Sequence, residues 1–346
     1  MACLERLGRY DVYHLPAYHH AYEAKSKARA QAYIAEIDGE LLFQPVMLRP
    51  IDRVGDAPAP EDLYDVETVY GYGGPLASTD DPEFLAEAWR GYEDWCAEHR
   101  VVCEFTRFNP LLKNHALAAP GCQTWQDRQT VTIDLSAGAD TLWQGYAGAH
   151  RNSIRKAVKN GLTCEQCPVL ETMPAFRAIY EDTMRGLGAD STYYFSDDHY
   201  LKLAGGLGDG LRLFMVSSEG IDVAGALFLV QGGTLHYHLA GSLPSHRHLA
   251  PNNLLVHEAA RWAIGQGLKT FHLGGGRGPE PEDNLFRFKA RFGPRREDMW
   301  FGKQIFDPTA YEVLVALWRE QFPGTTQPAY LQLYRIDRKN RGPAAD

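Results

Sequence analysis

Lys289 lies between Phe288 and Ala290 in "LFRFKARFG" (285–293), just after the glycine-rich and acidic "LGGGRGPEPED" (273–283). An amine set among aromatic rings has two uses. It can be a surface lysine whose stem covers an aromatic cluster. It can also be a cation held out of water, opposite an oxygen that becomes negative as a carbonyl is attacked. The glycines suggest a third use, a phosphate cradle, but such a cradle runs directly into a helix whose free N–H groups face the anion. Here Pro279, Glu280, Pro281, Glu282 and Asp283 intervene, and carboxylates repel phosphate. The better reading is that the glycines end a strand (Lys269–Leu273). Asp283 or Asn284 then caps a short helix carrying Phe286, Phe288, Lys289 and Phe292.

A second group of charges has helical spacing. Arg151, Arg155 and Lys159 stand at i, i+4 and i+8 with Lys156 beside them, and residues 146–161 contain no acid. Leu142, Tyr146, Ala149 and Ala157 mark the side expected to be buried. Like charges at this spacing disfavour an isolated helix by a few tenths of a kcal/mol each. A phosphate backbone would offset that cost. The stripe is otherwise a solvated face whose cations complement a helix C-terminus. The chain as a whole carries a formal charge of −9, and from Asp52 to Glu104 fourteen acids face three bases. From Asn284 to Lys303 six bases face two acids. An acidic chain with two basic islands is unsuited to indiscriminate nucleic-acid binding but can dock a polyanion locally.

Other candidate chemistry is thinner. His236 and His238 share one face of a strand and "HRH" follows at 246–248, yet no carboxylate or cysteine stands at ligand-like spacing. A polar strand lining a cleft is expected there, with no metal. Cys164 and Cys167 form a single CxxC without a second pair, and the six cysteines form no dense framework, as in a reducing compartment. No Ser–His–Asp or Cys–His arrangement stands out. The longest unbroken apolar run, Val223–Val230, is too short to span a bilayer, and the N-terminus lacks the order of a secretory signal. A cytoplasmic protein without membrane insertion is expected.

The positioning elements can be read in outline. Strands are expected at Gln31–Ile37, Leu41–Leu48, Val101–Phe105 and Thr124–Leu135, with a helix over Pro82–His99 and another over Thr141–Asn160, stopped by Gly161. Strands at Leu211–Ser217, Val223–Val230 and Thr234–Leu239 precede a helix over Asn252–Gln266 and the strand ending at Leu273. "WCAEHRVVCEF" (95–105) and "WAIGQGLKTFH" (262–272) match in kind: a helix ending with Trp feeds a short apolar strand. Two copies of one α/β unit would explain this, and 346 residues suffice for two domains. Chance recurrence of helix–turn–strand units is the alternative.

Five stretches, "TVYGYGGP" (68–75), "EFTRFNPLLKN" (104–114), "HRNSIRKAVKNGL" (150–162), "HYHLAGS" with the helix after it (236–266) and "GGG…LFRFKARFG" (274–293), together resemble the FemABX-like (Fem) aminoacyltransferases. The resemblance implies an α/β (α+β) protein of two tandem GNAT-like acyltransferase domains, 1–140 and 141–346, with mixed sheets flanked by helices. No extended heptad pattern appears, so the form without a coiled-coil arm is expected. It implies transfer of an amino acid from aminoacyl-tRNA to an amine of a cell-wall nucleotide peptide or a small natural product, with no cofactor beyond the charged donor. Lys289 resembles the lysine of the family's Phe-Lys motif and, with Phe288, becomes the expected catalytic pair. Arg151, Arg155, Lys156, Lys159, Arg247 and Arg291 become tRNA contacts. Tyr70, Tyr72, Arg107 and Asn109, which read on their own are equally packing and turn residues, become acceptor contacts by the resemblance, as do Tyr237 and His238.

The rival within the fold is an acyl-CoA-dependent GNAT N-acyltransferase, and outside catalysis a binding protein on the same scaffold. Against CoA stands "SHRHLAPNNLL" (245–255). It keeps Arg247 but places Leu249, Ala250 and Pro251 where open glycines would let backbone N–H groups close on a pyrophosphate.

Overall fold

A computed structural model describes residues 1–280, 282–324 and 330–337, apart from the side chains of 24–26. The chain forms two compact units, and the first is discontinuous: residues 1–126 with 300–346, against 127–299 for the second. This differs from a single cut at residue 140. The chain returns to the first unit because residues 301–305 pair antiparallel with the strand Val101–Arg107. The helix Pro308–Gln321 then contributes Leu314, Val315 and Trp318 to a core with Val102 and Cys103.

In the first unit Arg29–Ile37 and Glu40–Pro50 form a hairpin. Its two turn residues, Asp38 and Gly39, both have positive φ (52° and 88°), the backbone that matches the right-handed twist of paired strands. Tyr64–Glu67 adds antiparallel to Glu40–Pro50. The chain then crosses through the helix Pro82–Glu98 and returns as Val101–Arg107, parallel to Tyr64–Glu67. Asp81 caps the crossover helix by accepting from the Phe84 N–H at 2.9 Å, with Pro82 in the first turn. Phe84, Ala88, Trp89, Tyr92 and Cys96 form its buried stripe, against Leu42, Val46, Leu48 and Val66. With a helix on each face, Val101 and Val102 are both buried, as central strands require.

The second unit repeats this plan. Thr163–Cys167, Leu211–Ser218, Ile221–Gln231 and Thr234–Ser242 pair antiparallel in the spatial order in which they follow along the chain. The helix Pro251–Gly265 crosses over, and Thr270–Gly274 returns parallel to Thr234–Ser242 before pairing antiparallel with Val131–Asp134. The two tryptophan segments do occupy equivalent places: Trp95 and Trp262 lie on the crossover helices that lead to the parallel strands. The fold class is therefore the one expected, two tandem GNAT-like α/β units with mixed sheets flanked by helices. Among the described residues no helix is long and apolar enough to cross a membrane.

The expected helix over Thr141–Asn160 is instead two, Gly138–Gly145 and Gly148–Lys159. Tyr146 and Ala147 between them are extended (ψ 141° and 144°). Packing explains the break. Tyr146 is buried edge-on against Phe292 at 5.2 Å, and the Ala147 N–H donates to the Arg291 carbonyl at 2.8 Å. The opened backbone bonds to the end of the Lys289 helix.

Candidate active site

The strand Thr270–Gly274 ends at Gly274, whose φ of 75° suits a residue without Cβ. Asp283 then accepts from the Phe286 N–H at 2.7 Å and starts the helix Asn284–Ala290. Gly276 allows that cap: a Cβ there would lie 2.5 Å from the Asp283 carboxylate. The glycines thus end a strand and admit a capping residue. Phe286, Phe288 and Phe292 pack on the core of the unit, and Lys289 is 8% exposed.

The Lys289 Nζ donates to the Gly275 carbonyl at 2.8 Å and lies 5.8 Å from the centre of the Tyr237 ring. Burial pushes its amine down to about 8, against the opposing pull of the Asp283 carboxylate. One hydrogen bond uses one of three ammonium donors. A buried cation with donors to spare is equipped to meet an oxygen that gains charge.

Tyr237 and His238 stand where two strands part. Thr234–Ser242 pairs with Thr270–Gly274 only through His236 and His272, although it continues to Ser242. On its other edge the register shifts at the same point: Phe228 lies opposite Tyr237 and Leu227 opposite Leu239, leaving His238 as the bulged residue. Diverging parallel strands expose backbone groups that would otherwise be paired, a usual setting for a cleft. Burial, with the nearby His199 and His236, pushes the His238 imidazole down to about 3, so it is neutral near pH 7. His236 and His272 face each other with Nδ1 atoms 3.2 Å apart, so one ring donates and the other accepts. Among the described residues no group of three or more His, Cys, Asp or Glu side chains is placed to hold a metal.

The basic helix touches the lysine helix directly. His150, which sequence reasoning did not single out, bonds the Phe288 carbonyl through Nε2 at 2.9 Å, and its ring lies 4.4 Å from that of Phe292. The four cations of the stripe are not equivalent. Arg151 is half-buried and donates to the carbonyls of Gln144 and Tyr146, so it braces the break before the helix and is not a free surface cation. Arg155 lies 5.2 Å over the Trp143 ring and is otherwise exposed, as are Lys156 and Lys159. Arg247, also exposed, sits on the turn Pro244–Leu249, which packs beside this helix, and Arg291 is exposed just past the lysine helix. If this face carries RNA, Arg155→Gln, Lys156→Gln and Lys159→Gln together should lower affinity for charged tRNA. The slope of log affinity against log salt should flatten by about 2–3, one per lost phosphate contact. Filter binding across a salt series checks this, and an unchanged slope returns the helix to a solvated face.

Tyr70, Tyr72, Arg107 and Asn109 belong to the first unit. Asn109 is 1% exposed and fully engaged: its Nδ2 donates to Asp11 at 2.7 Å and its Oδ1 accepts from the N–H groups of Leu111 and Leu112. It organises a turn and presents nothing outward. Tyr72 is buried edge-on against Tyr13, whereas Tyr70 stacks on Tyr22 at 5.6 Å and stays half-exposed. Arg107 is also half-exposed, 3.6 Å from Glu67 and 5.1 Å over the Phe105 ring.

The fold is a tandem GNAT-type scaffold. Residues 148–289, from the start of the basic helix to the buried lysine, match the acetyltransferase (GNAT) domain model. The structure is similar to the crystal structure of FemX, with a TM-score of 0.65 at 16% identity, covering 88% of this chain and 94% of that one. It is also similar to the C-terminal domain of a putative lysylphosphatidylglycerol synthetase from Agrobacterium fabrum (TM-score 0.56, 14% identity, 92% and 94% covered). The structure of L-PGS from Bacillus licheniformis is a further likeness (0.52, 13%, 88% and 96%). No curated protein sequence matches the chain.

Proposed function

We propose that this protein transfers an amino acid from aminoacyl-tRNA to an amine of a cell-wall precursor or small natural product, in the cytoplasm and without a further cofactor. The acceptor amine attacks the ester carbonyl of the charged tRNA, and an amide bond forms as the ester C–O bond breaks. The departing ribose oxygen takes the proton that the amine gives up. The ester is already activated, so no covalent enzyme intermediate is needed, and the protein's task is to position both substrates and stabilise the oxyanion. The Lys289 ammonium takes the second role, with Phe288 helping to exclude water. Arg155, Lys156, Lys159, Arg247 and Arg291 take the phosphate backbone, with Arg151 holding their helix in place. Tyr70, Arg107, Tyr237 and His238 are the acceptor contacts retained from the sequence.

The choice of donor rests on the turn before helix Pro251–Gly265. Residues Pro244–Leu249 coil into a 3-10 turn, Ala250 takes φ 59°, Pro251 contributes no N–H, and the Asn253 N–H is already bonded to the Ala250 carbonyl at 3.1 Å. Few backbone donors remain for a pyrophosphate, which supports a tRNA-borne donor over acyl-CoA. The test is transfer from total charged tRNA, with identification of the amino acid removed. RNase treatment of the donor should abolish transfer, and added acyl-CoA should not restore it. Robust transfer from acyl-CoA without RNA would replace this reading by N-acyltransfer.

A further inference from the structure

Within the first unit a buried charge cluster is incomplete. Arg49 is 7% exposed, and its Nε donates to Asp65 at 2.8 Å while its Nη1 donates to Glu67 at 2.6 Å. Its Nη2 has no hydrogen-bond partner among the described residues. Asp65 is otherwise consumed: Arg335 reaches it through Nε at 2.7 Å and Nη2 at 2.9 Å, and the Tyr334 hydroxyl at 2.8 Å. Glu67 also holds Arg107, so the two guanidinium groups of Arg49 and Arg107 flank one carboxylate. Beside them Gln332, 0% exposed, accepts from the Tyr330 hydroxyl at 3.3 Å through its Oε1, while its Nε2 also lacks a partner among the described residues. The Arg335 N–H donates to the Gln332 carbonyl at 2.9 Å, so Gln332 belongs to the turn that carries Tyr334 and Arg335 to Asp65.

Two features of this cluster point the same way. Arg49, Arg107 and Arg335 carry three positive charges against two on Asp65 and Glu67, so one anionic group would neutralise the cluster. The Arg49 orphan is a donor on a cation, so the matching ligand is an acceptor with negative charge. Buried donors of this kind are normally paired, and leaving one bare costs the full desolvation of the group. Arg107 and Tyr330 retain exposed surface and open the cluster to solvent.

We infer that Arg49, Arg107 and Gln332 form a receptor for a single anionic group, a carboxylate or a phosphate, carried by the acceptor substrate. This rests on the proposed transfer only for the word acceptor; the binding itself stands apart from it. Both candidate acceptor classes supply such a group in principle, a nucleotide peptide through its phosphates or carboxylates and a natural product through a carboxylate.

The test uses the full chain and two simple probes, inorganic phosphate and acetate, titrated at constant ionic strength while binding is followed by calorimetry and the unfolding midpoint by fluorescence. A saturable one-to-one response to one of the probes is expected, and which one responds distinguishes the two sources. Arg107→Gln should weaken that response at least tenfold. Because Arg107 is half-exposed and outside the Arg49–Asp65–Arg335 bonds, this variant should fold normally. Arg49→Lys, which keeps the charge and removes Nη2, should weaken it similarly. No saturable response in wild type, or an undiminished one in a folded Arg107→Gln, overturns the inference whether or not transfer from charged tRNA is found. Absence of transfer with intact anion binding would instead overturn only the proposed reaction.

Discussion

Lys289→Met should slow single-turnover transfer from pre-charged tRNA by roughly 100- to 1000-fold, the loss typical of removing one oxyanion donor. The ammonium is buried and spends one hydrogen bond on the Gly275 carbonyl, so its remaining donors act in a poorly solvated place where they are worth most. An interaction gained mainly in the transition state should appear in the rate and hardly in tRNA affinity. The same burial makes a stability prediction of the opposite sign. The folded-state pKa of about 8 lies below the ordinary 10.5, so the cost of burying the cation is fully present below pH 8. That cost is relieved as pH rises from about 8 to 10.5, where the folded protein gives up the proton first. Met keeps most of the apolar stem, so at pH 7 the variant should be at least as stable as wild type by denaturant titration. The wild-type rate should also decline above about pH 8 as Lys289 loses its charge. A variant that transfers within a few fold of wild type would reduce Lys289 to packing.

Glu104→Gln should raise the stability of the first unit by about 2–3 kcal/mol at pH 8 and by far less at pH 5. Glu104 lies under the crossover helix, where burial pushes its carboxyl up to about 7 despite hydrogen bonds from Thr106, Tyr92 and Gln44 at 3.0, 3.1 and 2.7 Å. An acid whose pKa rises on folding binds its proton more tightly in the native state. Stability is therefore greatest below the ordinary value of 4.5 and falls as pH climbs through about 7, above which the buried charge is unrelieved. The Gln44 Oε1 has no partner among the described residues, so an amide flip lets it accept from a protonated Glu104 or from the replacement Gln. Urea unfolding of both proteins at pH 5 and pH 8 measures the difference. A variant destabilised equally at both pH values would mean that Glu104 is ionised and well satisfied in the fold.

Much of the scaffold was legible because local chemistry and tertiary demand agree. Pro82 with its acidic first turn, the Asp283 cap, and the alternating or continuous apolar runs of the strands each specify an element without reference to the rest of the chain. The correspondence of the Trp95 and Trp262 segments reported the duplicated crossover, because a helix that must cross a sheet and feed a parallel strand needs the same apolar ending each time. The lysine and its aromatic neighbours were also visible, since their spacing on one short helix is a local property.

Tertiary structure decided the rest. The break at Tyr146–Ala147 is fixed by Phe292 and the Arg291 carbonyl, far away in sequence; Gly145 and Gly148 flank it and weaken the helix there, but they do not by themselves open it. Arg151 looked like its neighbours until that break gave it two carbonyls to brace, and Asn109 was open to a turn role and an acceptor role alike until Asp11 claimed its amide. His150 had no signal of its own, because its partner is a backbone carbonyl on another helix. The C-terminal segment belongs to the first unit because Arg335 and Tyr334 meet Asp65. Periodicity and capping act over a few residues and can be read from a sequence. The partner of a charged or polar side chain is set by which distant segments the fold brings within 3 Å of it, and that belongs to the fold.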